Sequence, residues 1–339
     1  MVIDVEQVRA WLLLLFGAAG ATPETATMVV DHLIDASVVG VTTHGVMRAP
    51  DYLDAVERGE IDPAASPSVV ESRPALVRID AARGFGQPAA ALGVAHVVDA
   101  AARVGTASVS IGRSGHFGRI GAYVDDIARH GYLALAFCAT PPGWRGVAWH
   151  GASSRVVGTH PLAFAFPTGS DPVVADLATS ATSEGRVKLA RSMGQPAPSD
   201  AVLDPSGQVT TDPNVLYTEP RGMILPFGGR DGGHKGSALA ALVESTAWLP
   251  DIEGTGTGAD ANSLTLIAID TNAGFAEHAD AFVDRVRSAR PIDPASPPRA
   301  PGVDHPRRRA TTSELDIDEV TLGRLRAASD AFGVAVPAT

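Results

Sequence analysis

The chain has 339 residues, of which 45% are hydrophobic, and a formal net charge of −11 at pH 7, so it can bury a large core spread over more than one lobe. The acidic balance excludes nucleic acid and anionic membrane surfaces as partners, because both require a basic face. The single cysteine, Cys138, leaves no internal disulfide framework and fits a reducing, cytoplasmic setting; within the apolar run 132–139 it reads as a buried, inert thiol.

Trp11-Leu12-Leu13-Leu14-Leu15-Phe16 is apolar enough for the core of a secretion signal, but Asp4 and Glu6 precede it where a signal carries cations, and it is too short to span a bilayer. It is expected to be a buried helix ending near Gly17 or Gly20. Thr22 then caps a second helix with Pro23 in its first turn, running to about Val39 and delivering the Thr43-His44 stretch. A strand is predicted at Ala75 to Ile79 and an alanine-rich helix at Gln87 to Val104. The short apolar runs Ala107 to Ile111 and Tyr132 to Ala139 have the pattern of strands buried on both faces, and with the helix Gly118 to His130 they form a strand–helix–strand unit. Further strands are predicted at Val173 to Ala175 and Leu264 to Ile269, with a helix from Ala238 to Trp248 between them. Residues 291–306 hold too many prolines for a regular helix or a central strand and read as a crossing segment, before a closing helix from Leu315 to Phe332. The class is α/β. Residues 1–75 are expected to form an N-terminal helical lobe rejoined by 290–339, and 76–289 an α/β region.

Several stretches carry chemistry. In Gly40-Val41-Thr42-Thr43-His44-Gly45-Val46-Met47-Arg48, helical geometry would put His44 and Arg48 on one face, about 5–6 Å apart at Cβ. Chemistry at the α-carbon of a 2-oxo or 2-hydroxy acid needs this pair, a guanidinium to grip the carboxylate and a proton carrier beside the adjacent oxygen. A surface arginine with a capping histidine would give the same spacing. In Gly112-Arg113-Ser114-Gly115-His116-Phe117-Gly118 the glycines do not follow the Gly-x-Gly-x-x-Gly dinucleotide fingerprint. The glycine-flanked His116 ahead of a helix is nevertheless expected to leave backbone N–H groups facing a cleft, which suits a pyrophosphate or carboxamide. Gly158-Thr159-His160-Pro161, Asp176-Leu177-Ala178-Thr179-Ser180, Leu225-Pro226-Phe227-Gly228-Gly229 and His234-Lys235-Gly236 complete the set. His44, His116, His150 and His160 show no short ligand spacing and no thiolate partner, so no metal site is expected.

Taken in order from about Val5 to Pro301-Gly302, these stretches resemble the malate/L-lactate dehydrogenase family of the second type. The resemblance implies a non-Rossmann, L-sulfolactate dehydrogenase-like fold, with a mixed sheet flanked by helices and an N-terminal helical lobe. It also implies a homodimer, and NAD- or NADP-linked hydride exchange with a small 2-hydroxy, 2-oxo or cyclic 2-imino acid; a catalytically inactive relative is the alternative. Carried over position by position, it makes His44 the proton carrier with Thr43 orienting it, Arg48 the carboxylate grip and Thr159 a substrate contact. His116 becomes either the acid/base or, with Phe117 and Gly118, a cofactor contact; His44 is favoured for the proton because Arg48 fixes it against the α-oxygen. Thr140, Asp176, Leu177, Ala178, His234, Lys235, Gly302 and Asp304 fall on cofactor-binding stretches. Three departures bear on specificity. Ser183-Glu184-Gly185 stands where the family commonly has Ala-Arg-Gly, so a cation able to hold a second anionic group is replaced by Glu184, at a substrate-binding position. That disfavours dicarboxylates, unless Glu184 points to solvent. His160 stands for an asparagine. Val303 stands for a glutamate, which leaves NAD against NADP open.

Overall fold

The computed structural model describes residues 1–140, 145–252 and 261–337. Its N-terminal part is β1 (Val2–Asp4), α1 (Val5–Ala18), α2 (Pro23–Val38) and α3 (Ala49–Glu57). Asp4 caps α1 by accepting from the Glu6 and Gln7 amides, and α1 buries Val8, Trp11, Leu12, Leu15 and Phe16, the i, i+3, i+4, i+7 stripe of a helix lying on a core. Thr22 caps α2 and Pro23 opens it, as the sequence requires.

Next come β2 (Ser68–Arg73), β3 (Leu76–Asp80), α4 (Gly86–Val104), β4 (Thr106–Ser114), α5 (Gly121–Arg129), β5 (Tyr132–Ala139), β6 (Val147–Ala148), β7 (Arg155–Val157), β8 (Leu162–Phe166) and β9 (Val173–Leu177). They are followed by α6 (Glu184–Ser192), β10 (Val202–Leu203), β11 (Val209–Thr210), β12 (Met223–Ile224), α7 (Gly229–Thr246), β13 (Asn262–Asp270) and α8 (Phe275–Arg287). The main sheet has seven strands in the order β2-β3-β4-β13-β5-β8-β9. Only β3 and β4 pair in parallel, across the α4 crossover, so the sheet is mixed. The expected strand–helix–strand unit is present as β4, α5 and β5, but its strands are not neighbours: β13 lies antiparallel between them. The register gathers one end of the sheet. Asn262 faces Ser114, Ser263 faces Ala139, and Leu162 is paired with both Phe137 and Leu177. The segments holding His116, Thr140, Thr159 and Asp176 to Ala178 therefore emerge side by side.

A second sheet, ordered β11-β10-β12-β6-β7, is built from strands of two or three residues, too short to show a period in the sequence. Its core of Val147, Val157, Val202 and Ile224 seats α6 through Val187. The proline-rich stretch ends in α9 (His305–Thr311), with Pro306 in its first turn, so its last two residues are helical where none was expected. The predicted closing helix divides into β14 (Glu314–Asp316) and α10 (Glu319–Phe332), with Asp318 as the cap of α10. β14 pairs with β1, and Leu315, Ile317, Leu322 and Leu325 pack into the core of α1 and α2, where Trp11 Nε1 donates to Ser329 Oγ at 2.8 Å. Among the described residues no helix is long and apolar enough to cross a membrane.

Candidate active site

The His44–Arg48 stretch is not one helix. It forms two 3-10 turns, Thr42–His44 and Val46–Arg48, broken at Gly45. A Cβ at Gly45 would collide with Ser37 Oγ, which accepts from the Val46 amide at 2.9 Å; α2 thus presses the break into place. His44 and Arg48 still line the same cavity of about 460 Å³, together with His116, Gly118, Thr140, Thr159 and Glu184.

His44 Nδ1 lies 3.0 Å from Thr43 Oγ1, and Nε2 has no hydrogen-bond partner among the described residues. The His44 and His116 rings stack with centroids 5.6 Å apart. His116 is held from behind: its Nδ1 accepts from the Gly118 amide at 3.1 Å and lies 2.8 Å from the Tyr52 hydroxyl, which itself accepts from Gln87 Nε2 at 3.2 Å. An Nδ1 that accepts a backbone N–H is unprotonated, so the neutral His116 ring carries its proton on Nε2. Gly118 has φ +69, and a Cβ there would strike His32.

In the turn before α5, three amides are already taken by side chains: Gly118 donates to His116, Arg119 to His32 Nε2 at 2.8 Å, and Gly121 to Asp176 Oδ2 at 2.7 Å. An anion drawn to those three amides would have to displace the side chains that cap them.

Arg48 is held at two points and faces an acid at a third. Nε donates to the Thr43 carbonyl at 2.9 Å, Nη1 to Asp51 Oδ2 at 3.1 Å, and Nη2 stands 3.9 Å from Glu184 Oε2. Glu184 opens α6 and faces the cavity rather than solvent; its other oxygen accepts from the Tyr217 hydroxyl at 2.7 Å, while Arg191 covers the Tyr217 ring. Cys138 also reaches this cavity, and burial pushes its thiol up to about 12.

A second cavity of about 640 Å³ adjoins the first, sharing His44, Gly118, Thr159 and Ser183 with it. Thr43, Asp176, Leu177, Ala178 and Gly302 line it, and so does Arg186, an exposed guanidinium with no ion pair among the described residues. Behind the shared wall, His160 takes a left-handed conformation (φ 39) that asparagine adopts readily; its Nε2 pairs with Glu244 and its Nδ1 lies 3.3 Å from Thr140 Oγ1. Other predicted positions lie apart. Phe117 is buried in the main core, Asp304 is paired with Arg299, and His234 and Lys235 are exposed on α7, the former against His150. Tyr52, Asp51, Lys188 and Tyr217 escaped sequence reasoning; only Asp51, three residues beyond Arg48, left a local signal. Among the described residues no group of three or more histidine, cysteine or acidic side chains is placed to hold a metal.

Burial, and next the Arg48 charge, hold His44 down at about 3 and His116 well below its usual range; burial, and next Arg119, hold His32 at about 4. All three are neutral at pH 7. The unfolded chain takes up these protons near pH 6.5 and the folded chain only well below it, so stability is full above about pH 6.5 and falls as pH drops toward 4 and 3. Denaturant titrations at several pH values are expected to show this slope. His32→Gln should flatten it, and an unchanged slope would show that His32 is not titrating.

The sequence profile of the malate/L-lactate dehydrogenase family matches residues 3–326. The chain is 36% identical over 251 residues to a Δ1-pyrroline-2-carboxylate/Δ1-piperideine-2-carboxylate reductase of Pseudomonas putida, covering 72% of this chain and 70% of that one. It is 31% identical over 342 residues to a (2R)-3-sulfolactate dehydrogenase (NADP(+)) of Chromohalobacter salexigens, covering 96% and 97%. Among solved structures, a putative malate/lactate dehydrogenase from E. coli superposes with a TM-score of 0.91 at 28% identity, covering 99% of this chain and 96% of that one.

Proposed function

The chain belongs to the malate/L-lactate dehydrogenase family, and from that premise we propose that it is an NAD- or NADP-linked oxidoreductase acting on a small 2-hydroxy or 2-oxo acid, with Arg48 holding the carboxylate and His44 moving the proton. The observation that carries the proposal is the meeting of His44, Arg48 and His116 on one cavity that opens into a second. The second cavity suits a nicotinamide nucleotide: it is about 640 Å³, it shares His44, Gly118, Thr159 and Ser183 with the first, and Arg186 gives it an uncommitted cation for a phosphate. When bound there, the nucleotide supplies the hydride. Thr43, Asp176, Leu177, Ala178 and Gly302 would line its seat, and Thr159 and Thr140 would wall the substrate. His116, a donor at Nε2, would hydrogen-bond the substrate oxygen, and His44, neutral with Nε2 free, would take the proton of a 2-hydroxy acid. The protein would work as a cytoplasmic homodimer.

Substrate charge follows from the ion pairs. Arg48 is committed to Asp51 and to the one carboxylate it would grip, and Arg58 is matched by Glu60 at 2.8 Å, so neither arginine lining the first cavity is spare for a second anionic group. Monocarboxylates are therefore the substrates of choice over malate or sulfolactate. Glu184 supports a second reading, a cyclic 2-imino acid, whose protonated ring nitrogen would meet a carboxylate instead of a cation.

The test is a panel of pyruvate, oxaloacetate, sulfopyruvate, branched 2-oxo acids and cyclic imino acids with NADH and NADPH, beside fluorescence titration of each nucleotide. Nucleotide binding with turnover of monocarboxylates is expected, and Glu184→Arg should shift preference toward the dianions. Binding of neither nucleotide would leave a catalytically inactive relative; best activity on oxaloacetate or sulfopyruvate would overturn the charge argument.

A further inference from the structure

Asp51 receives three cations from three separate elements. Arg48 Nη1 reaches Oδ2 at 3.1 Å from the second 3-10 turn, Lys188 Nζ lies 3.0 Å from both oxygens out of α6, and Arg324 Nη1 reaches Oδ1 at 2.7 Å out of α10, its Nη2 going to Asp54 at 2.8 Å. Asp51 and Arg48 are both largely shielded from solvent, with side chains 24% and 16% exposed. A carboxylate gripped this way is ionised and immobile: burial opposes the charge, but Arg48 and Lys188 outweigh it and hold Asp51 at about 2.

The geometry around Arg48 gives this cluster a purpose beyond joining elements. The Thr43 carbonyl takes Nε and Asp51 takes Nη1, which leaves Nη2 as the guanidinium nitrogen without a hydrogen bond among the described residues and the end open to a substrate carboxylate. That end faces Glu184, whose Oε2 is 3.9 Å away, about an ångström beyond a tight charge-assisted hydrogen bond. Two carboxylates thus pull on one guanidinium from opposite ends. Lys188 and Glu184 sit one helical turn apart on α6, so the helix that brings the competing acid also brings a cation that anchors Asp51.

We infer that Asp51 is a positioning residue that holds Arg48 off Glu184 and so keeps the Nη2 end of the guanidinium open for the substrate carboxylate. The inference rests on the reading of Arg48 as the carboxylate grip. Without the Asp51 charge, the nearest anion to Arg48 is Glu184, and the arginine closes onto it. A role in stability alone would weaken the fold without involving Glu184.

The test is a double-mutant cycle read on KM, kcat and thermal unfolding, with the best 2-oxo acid of the panel above and with oxamate binding by calorimetry as a measure free of turnover. Asp51→Asn should raise KM and the oxamate dissociation constant about 10- to 100-fold, the range for losing one hydrogen bond to a charged group, with kcat within about threefold and nucleotide affinity unchanged. Adding Glu184→Gln should recover most of that loss, because the competing acid is gone. Where Asp51→Asn does not fold, Lys188→Met, which only loosens the Asp51 anchor, should give a smaller rise in KM that Glu184→Gln again relieves. KM unmoved by these changes, or penalties that simply multiply in the double variant, would overturn the inference. If Arg48→Lys also leaves KM untouched, the functional proposal itself is at fault.

Discussion

His44→Ala is expected to lower kcat by about 10²–10⁴, the usual loss for a general acid/base, with a much smaller change in KM. The geometry gives the two histidines of the cavity different work. His44 stacks on His116, makes its one side-chain hydrogen bond among the described residues with Thr43 Oγ1 and has Nε2 unpaired, so one nitrogen is free to exchange a proton. His116 has its Nδ1 committed to the Gly118 amide and the Tyr52 hydroxyl, which fixes its tautomer as a donor. Burial and the Arg48 charge hold His44 at about 3, so in the free protein it is a base across the neutral range. A bound carboxylate offsets the Arg48 charge and raises that value, which helps His44 carry a proton in the reductive direction. Steady-state kinetics of His44→Ala and His116→Ala, side by side, check the assignment. Near-normal turnover by the first with a dead second would move the proton to His116.

The parts of this site that were legible in the sequence are those set by local chemistry. The α1 stripe from Val8 to Phe16, the Thr22 cap and the glycine- or proline-bounded runs that became β4 and β5 each follow from residues within one or two turns of each other. The insertion of β13 between β4 and β5 does not, since it pairs residues such as Leu266 and Val109 that are distant in the chain, and no local pattern encodes that choice. The same limit applies to the site. His44, Arg48, His116 and Glu184 stood out because each lies in a short recognisable stretch. Tyr52 behind His116, and Lys188 and Arg324 on Asp51, are joined across separations of 64, 137 and 273 residues, and each alone reads as an ordinary surface or core side chain. His234 and Lys235 show the reverse, a recognisable stretch that α7 carries away from both cavities.

Arg48→Lys is expected to raise KM for the 2-oxo acid by about 10- to 100-fold, corresponding to roughly 1.5–3 kcal/mol for the loss of charge-assisted hydrogen bonding, while kcat changes little. Charge is conserved in this substitution, so the effect isolates geometry. The guanidinium reaches the Thr43 carbonyl, Asp51 and the cavity at the same time because its nitrogens diverge in one plane. An ammonium on a shorter stem is a single point: once drawn to Asp51, which already binds Lys188 and Arg324, it has nothing left to offer a carboxylate in the cavity. Because the arginine also depresses His44, a cation placed nearer Asp51 should let the acidic limb of the kcat profile move upward in pH, a change that simple loss of substrate affinity would not produce. Nucleotide titration of the variant should give an unaltered dissociation constant, since Arg48 does not line the second cavity. An equal fall in kcat and in nucleotide affinity, with KM unchanged, would mean that Arg48 holds the site together and does not grip the substrate.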